Sequence, residues 1–255
     1  SDLTIELTHP WQLYHWHFEP SSKCALECPR CPRTELPDTP WLNRELSLEQ
    51  FQEILTPELL QDEVKRITMC GDVGDPIYCK EYLAIIRYIK EHNPKIHVYT
   101  ITNGSYKTPS WWREFASISN QYDTINFSVD GYNQSSNNLY RVNSSFDSIM
   151  TGMGIMCRES SCYVNWAMIV FKFNEDHIDT MKDIARAQGC DGFQITKSTK
   201  FNSKYGNPEP DDLEPSEDNI SSSNRYEREY INLRNRRLDN TEYMLYNQCQ
   251  QNRLH

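Results

Sequence analysis

The sequence has no apolar run near the roughly 20 residues that a membrane-spanning helix needs. Its amino end also lacks the basic-then-apolar pattern of a secretion signal. Basic residues are not in excess, because 26 Lys and Arg stand against 36 Asp and Glu, a net charge of −10. Proteins that bind duplex nucleic acid usually carry a basic face. These absences disfavour membrane and nucleic acid as partners, and we expect a cytoplasmic protein.

The composition is otherwise that of a globular protein. The 255 residues are 38% hydrophobic and 12% aromatic, enough for one large domain or two small ones with a real core. Nine cysteines are present. In a reducing compartment, clustered cysteines usually bind metal or perform redox chemistry, whereas scattered ones behave as small buried hydrophobes.

Strand and helix patterns alternate over most of the chain. Strands are predicted at 64–69, 96–101, 124–129, 163–171 and 192–196. Such alternation with short connections predicts right-handed βαβ units and a parallel sheet. Parallel sheets carry their chemistry at the carboxyl ends of the strands, so those ends are where functional residues are expected.

Capping residues mark the helices between these strands. Ser47 with Gln50 three residues later predicts a capping box. Thr108 is the predicted cap of a second helix. Asn174 is the predicted cap of a later helix that ends at Gly189.

The composition changes after about residue 200 and divides the chain into three parts. Residues 1–200 carry the strand–helix pattern. Residues 201–223 are rich in Pro, Ser and acidic residues, and predict a linker or exposed loop. Residues 224–255 have Tyr and Leu at helical spacing, which predicts a C-terminal helical segment, and their Arg cluster is expected to be a solvated face.

The most informative stretch is SSKCALECPRCPRTE, residues 21–35, which holds Cys24, Cys28 and Cys31. A structural zinc site needs four ligands, usually in two close pairs, but the next cysteine, Cys70, is distant. A thioredoxin-like CPRC should open a helix after a strand, whereas prolines make this stretch an extended loop. A disulfide would leave one of three adjacent thiols unpaired.

A fourth interpretation is an iron–sulfur cluster with an open corner. A cubane cluster usually takes four thiolates. Three leave one iron open for an exogenous ligand, as an open position does on a catalytic zinc. Within the residues alone, a zinc scaffold that recruits a distant histidine stays a competing interpretation.

The C-x3-C-x2-C triad, placed before the first βα unit, resembles that of the radical S-adenosylmethionine (radical SAM) superfamily. HFEPSSKC before it and CPRCPR around it resemble the SPASM/twitch, peptide-modifying and molybdenum-cofactor-like branch. One departure is Arg30, because many members have an aromatic residue just before the third cysteine.

This resemblance, over roughly residues 15 to 200, implies an α/β fold, a partial (β/α)6 TIM-like barrel with an N-terminal cluster-binding loop. It implies a [4Fe-4S] cluster on Cys24, Cys28 and Cys31, with S-adenosyl-L-methionine on the open iron. Reductive cleavage of that cofactor would give a 5′-deoxyadenosyl radical that takes hydrogen from a substrate. An electron donor such as flavodoxin or ferredoxin is implied. The expected substrate is a peptide or protein, with a small-molecule or nucleotide-derived substrate as the alternative.

The resemblance also implies cofactor-binding residues at the strand ends. They occur in CGDVGDP (70–76), TNG (102–104) and FSVDG (127–131), and at two later positions: Gly71, Asp72, Gly74, Thr102, Asn103, Ser128, Asp130, Arg141 and Asn165. Arg141 would hold the methionine carboxylate as a two-pronged donor. The alternative for these residues is structural, since strand ends need turns and caps, and an Asn on an apolar strand is often satisfied by backbone.

The remaining cysteines and two histidines are expected to have structural roles. Five further cysteines are predicted to be buried hydrophobes: Cys70, Cys79, Cys157, Cys162 and Cys190. Cys249 lies where a SPASM or twitch extension would begin, but the sequence stops six residues later. Either the chain is truncated or the extension is absent, and auxiliary clusters are not expected. His15 and His17 are predicted to share one face of a strand.

Overall fold

The computed structural model describes residues 14–35, 37–202, 209, 211–221 and 226–232. Its centre is one seven-stranded sheet in the order of the chain. The strands are β1 (His15–Phe18), β2 (Arg66–Met69), β3 (His97–Thr102), β4 (Thr124–Ser128), β5 (Tyr163–Ile169), β6 (Gly192–Thr196) and β7 (Tyr226–Tyr230). β1 to β6 pair in parallel, and β7 is antiparallel to β6. The sheet is an open, partial barrel, which confirms the predicted α/β class.

Eight α-helices lie among the described residues. They are α1 (Pro32–Glu35), α2 (Leu48–Ile54), α3 (Pro57–Asp62), α4 (Tyr82–His92), α5 (Pro109–Ile118), α6 (Gln134–Asn137), α7 (Phe146–Glu159) and α8 (Ile178–Gln188). The capping box of Ser47 and Gln50 and the cap of Thr108 are present as predicted. Gly189 ends α8 with φ 91°, in the left-handed region that glycine adopts without strain. None of the described helices combines the length and apolarity that a membrane crossing requires.

The two faces of the sheet differ in chemistry. Strand pairing places Ile67 beside Val98 on the face that the helices cover. There the fully buried Trp112 of α5 packs on Phe127 of β4 with ring centroids 5.4 Å apart. The opposite face, hereafter the open face, carries polar residues in register, such as Asn126 beside Asn165. The apolar face therefore packs against the helices, and the open face carries the polar residues of the strands.

Three sequence predictions need correction or qualification. The predicted C-terminal helix is wrong for Tyr226–Tyr230, which forms β7 because its backbone pairs with the edge of β6. The rest of 224–255, with Cys249, lies outside the described residues apart from 231–232. Asn174 makes no side-chain cap; its buried amide instead binds backbone carbonyls. The predicted linker is described at 201–202, 209 and 211–221, and its longest described part, 211–221, packs against the body of the protein.

Candidate active site

The stretch that follows β1, residues 19–31, is the cysteine loop, and it lies across the carboxyl ends of the strands. The Nδ2 of Asn103, just after β3, donates to the Sγ of Cys24 at 3.6 Å. The Sγ of Cys31 donates to the carbonyl of Asp72, in the turn after β2, at 3.8 Å. Two strand-end loops thus each contact one thiol of the triad.

Cys28 contacts a third strand-end loop. The Nη1 of Arg141 lies 4.0 Å from the Sγ of Cys28. The Nε of Arg141 pairs with the Oδ2 of Asp130 at 2.6 Å, and the Asp130 side chain is fully buried. A cation held by a buried carboxylate therefore stands beside the central thiol.

All three cysteines also border a small apolar cluster, hereafter the minor core. Its buried members are Leu26, Cys28, Tyr140, Phe171, Phe201 and Ile220. Cys24 and Cys31 pack against it from more exposed positions. The thiols therefore lie at the boundary between an apolar cluster and the polar strand ends.

The turn after β2 is held by Asp75, a residue that the sequence analysis did not single out. Its Oδ1 accepts from the Oγ1 of Thr102 at 2.8 Å, and its Oδ2 accepts from the backbone N and Nδ2 of Asn103 at 2.6 and 2.7 Å. The Asp75 backbone N donates to the carbonyl of Lys23 in the cysteine loop. Asp75 thus ties the β2 turn, the end of β3 and the cysteine loop together. Its position before Pro76 at a turn was the available signal.

The two glycines of this turn are required by close backbone packing. A Cβ on Gly74 would lie 2.1 Å from the carbonyl oxygen of Ser21, and one on Gly71 would lie 2.5 Å from the carbonyl oxygen of Gly74. The turn therefore packs directly on the start of the cysteine loop. Asp72 is exposed between the two glycines.

Two buried side-chain amides, of Asn137 and Asn174, hold the loop after β4. The sequence analysis did not single out Asn137, and it predicted Asn174 as a helix cap. The Oδ1 of Asn137 accepts from the backbone N of Asp130 at 2.9 Å and of Gly131 at 3.1 Å. The Nδ2 of Asn174 donates to the carbonyls of Asp130 at 2.8 Å and of Ile169 at 2.9 Å. These bonds fix the backbone of Asp130, and with it the direction of its carboxylate.

Two predicted residues have different surroundings. Ser128 is the last residue of β4 and is partly buried, and no described residue accepts or donates a hydrogen bond at its hydroxyl. Asn165 is the third residue of β5, in its amino half, and its amide binds the Oδ1 of Asn126. Asn165 therefore contacts none of the three cysteines and stands apart from the other predicted residues.

The electrostatics distinguish the thiols. Burial, with the charge of Asp75 as a smaller cause, raises the pKa of Cys24 to about 12. Burial also raises the pKa of Cys28, and Arg141 opposes that rise. Metal binding needs thiolates, so a metal must displace these protons.

The donor chemistry fits an iron–sulfur cluster. All three cysteines are free thiols, and thiolates are the ligands that such clusters take. Among the described residues, no three His, Cys, Asp or Glu side chains form a ready-made metal site. The fit therefore rests on three soft donors on one loop beside an apolar cluster. Of the other described cysteines, Cys79, Cys157, Cys162 and Cys190 are buried as predicted, whereas Cys70 is only partly buried.

Comparison with known proteins defines the class. The Radical SAM superfamily matches residues 18–184, which is well over half of the chain and includes the cysteine loop and β2 to β5. The chain therefore belongs to the radical SAM superfamily of enzymes. No curated protein matches the sequence.

Solved structures share the fold at low sequence identity. SuiB of Streptococcus suis bound to the precursor peptide SuiA is 17% identical, with a TM-score of 0.58, over 71% of this chain and 38% of that one. Native anSMEcpe with bound AdoMet is 17% identical, with a TM-score of 0.55, over 71% and 50%. TYW1 with a lysine-pyruvate adduct is 13% identical, with a TM-score of 0.52, over 71% and 63%. The chain thus spans less than two thirds of each of these proteins.

Proposed function

We propose that the chain binds a [4Fe-4S] cluster through Cys24, Cys28 and Cys31 and S-adenosyl-L-methionine at the open iron. The observation that carries the proposal is that each thiol contacts a different strand-end loop, through Asn103, Arg141 and Asp72 respectively. A zinc scaffold has no need for that arrangement. When bound, the cluster and cofactor supply reductive cleavage to a 5′-deoxyadenosyl radical.

The protein's own residues position the cofactor and exclude water from the site. Asp75 holds Thr102 and Asn103, so these two act by keeping the turn after β2 and the end of β3 against the cysteine loop. Asp130 orients Arg141 in the same way. A guanidinium has five N–H donors, and no described residue accepts from the Nη2 of Arg141, which we assign to the methionine carboxylate.

Direct contacts to the remainder of the cofactor are proposed for the glycine turn and for Ser128. The carbonyl of Asp72, which Gly71 and Gly74 flank in the turn, lies beside Cys31, and the hydroxyl of Ser128 at the end of β4 has no hydrogen bond with a described residue. Asn165 is assigned no direct contact, because its amide is bound to Asn126.

For the substrate we propose a peptide or protein. Support comes from SuiB, whose structure was solved with the precursor peptide SuiA. A small-molecule substrate is the alternative, and TYW1 with a lysine-pyruvate adduct favours keeping it. Flavodoxin or ferredoxin is the proposed electron donor, and the clustered cysteines support a reducing, cytoplasmic location.

The proposed cluster and cofactor binding are tested under anaerobic conditions. The protein is reconstituted with iron and sulfide, reduced with dithionite, mixed with S-adenosylmethionine, and assayed for 5′-deoxyadenosine by mass spectrometry. We expect about four irons per chain and product from the intact protein, and neither from a variant with Cys24, Cys28 and Cys31 changed to Ala. Cys70→Ala is the matched control and should keep both. Zinc in place of iron would contradict the proposal.

A further inference from the structure

Arg30, between the second and third cysteines, forms an ion pair across a long separation in sequence. Its Nη2 lies 2.7 Å from the Oδ2 of Asp211, whose side chain is 2% exposed. The Oδ1 of Asp211 accepts from the backbone N of Leu213 at 3.1 Å, and its Oδ2 accepts from the backbone N of Asn202 at 3.2 Å. A buried carboxylate is costly without a charged partner, so Asp211 depends on Arg30.

Residues 211–221, hereafter the cover segment, are joined to the body of the protein at other points. The backbone N of Lys172 donates to the carbonyl of Leu213 at 3.1 Å. The Oε2 of Glu175 accepts from the N and Oγ of Ser216 and from the Nδ2 of Asn219, at 2.8 to 2.9 Å. These bonds hold the segment next to the loop after β5, and only the Arg30–Asp211 pair joins it by a described ion pair to the cysteine loop.

The apolar side chains of the cover segment complete the minor core. Ile220 is buried in it and Leu213 packs on it, and Leu26 and Cys28 of the cysteine loop are buried in the same cluster. The cover segment thus forms one wall of the environment of the thiols. An apolar wall beside a metal site controls solvent access and the local dielectric.

We propose that the Arg30–Asp211 pair latches the cover segment against the cysteine loop and so limits the access of solvent and solutes to the metal bound there. Arg30 and Asp211 are positioning residues, because they act through the segment and not on the substrate. The inference rests on the proposed cluster at Cys24, Cys28 and Cys31. It accounts for a polar residue at the position of Arg30, since the guanidinium is the partner of Asp211.

The first test needs no metal. Hydrogen exchange is measured on the iron-free chain for wild type, Arg30→Met and Asp211→Asn. We expect the amides of Leu213 and Ile220 to exchange about tenfold faster in both variants, the effect of losing one charge-assisted hydrogen bond. Asp183→Asn breaks an exposed pair with Arg186 on α8 and is the matched control, with no change at those amides.

The second test measures the bound iron directly. After anaerobic reconstitution, an excess of a ferrous chelator is added and iron release is followed by absorbance. Release should be about tenfold faster from Asp211→Asn than from wild type or Asp183→Asn. Arg30→Met removes the same ion pair and should lose the slow release as well. Arg30→Lys should recover part of it, because the charge remains but the fork is lost.

The outcomes separate the two proposals. Iron bound in every variant, with release and exchange unchanged within twofold of the control, would overturn the latch and leave the proposed function standing. Wild-type protein that binds no iron would overturn both. Faster exchange in the iron-free variants together with faster iron release supports the latch.

Discussion

Two buried aspartates, Asp75 and Asp130, occupy comparable places after the carboxyl ends of β2 and β4 and are stabilised differently. Asp75 follows β2 and is surrounded by neutral donors, from Thr102, Asn103 and backbone. Asp130 follows β4 and pairs with the guanidinium of Arg141. One carboxylate is therefore held by dipoles and the other by a full positive charge.

This difference extends to the thiols. Through Asn103, Asp75 contributes only an amide to Cys24, and its own charge adds to the rise in the pKa of that thiol. Through Arg141, Asp130 brings a cation to Cys28, which opposes the rise there. Two units with the same topology thus give two thiols of the cysteine loop unlike surroundings.

The largest expected effect is the loss of the cation. Arg141→Met leaves Asp130 buried without its charged partner, and this should lower the free energy of unfolding by about 3–5 kcal/mol. Urea denaturation of the iron-free chain measures it.

Two further variants control this prediction. Adding Asp130→Asn to Arg141→Met removes the stranded charge and should restore about half of the loss. Arg87→Met breaks an ion pair with Glu114 in which both side chains are more than 40% exposed, and should cost less than about 1 kcal/mol. Equal losses from Arg141→Met and Arg87→Met would mean that Asp130 does not depend on its cation.

The second prediction concerns pH and Asp75. Burial raises the pKa of Asp75 to about 6, against the lowering by Asn103 and Thr102, whereas the unfolded value is about 4. The carboxyl of Asp75 keeps its proton to higher pH in the folded chain than in the unfolded chain. Its contribution to the free energy of unfolding is therefore complete below about pH 4 and is lost as the pH rises to about 6. The total loss is about 3 kcal/mol.

Denaturation between pH 4 and pH 7 checks this on iron-free wild type and on Asp75→Asn, which cannot titrate. The stability of wild type relative to the variant should fall as pH rises. A relative gain in the same window would mean that the neutral donors stabilise the charged form more than burial destabilises it.

The third prediction separates amides near to and far from the thiols. Asn103→Ala removes hydrogen bonds to Asp75 and Cys24, and should cost about 2 kcal/mol and reduce the iron bound after reconstitution. Asn165→Ala removes a buried amide bond to Asn126, and should cost about 1 kcal/mol without loss of iron. Iron analysis beside denaturation distinguishes them, and equal iron in both variants would contradict a role for Asn103 at the site.

The sequence predicted the parallel part of this fold well because its signals are local. Short strands that alternate with helices, and caps such as Ser47 and Thr108, are determined by a few neighbouring residues. The cysteine triad was recognisable for the same reason. Asp75 was not, because its role depends on Thr102 and Asn103, which only folding brings beside it.

The end of the described chain was predicted less well for a related reason. Tyr226–Tyr230 has spacing that suits a helix, and pairing with the free edge of β6 determined its structure instead. The acidic cover segment has the composition of a linker, yet Asp211 forms an ion pair with Arg30, and Ile220 is buried in the minor core. Composition gives the average polarity of a segment. It does not indicate which individual charged side chains form ion pairs with residues far away in the sequence.

The smallest change in stability is expected for a substitution of Ser128. The same substitution tests whether this strand-end residue faces the cofactor. Its hydroxyl has no hydrogen bond with a described residue, so Ser128→Ala should change the free energy of unfolding by less than about 0.5 kcal/mol. If Ser128 contacts S-adenosylmethionine as proposed, the same variant should bind the cofactor about five- to tenfold more weakly, the value of one hydrogen bond. Isothermal titration of the reconstituted protein measures this. Unchanged affinity with unchanged stability would remove Ser128 from the site and leave Arg141 as the main contact after β4.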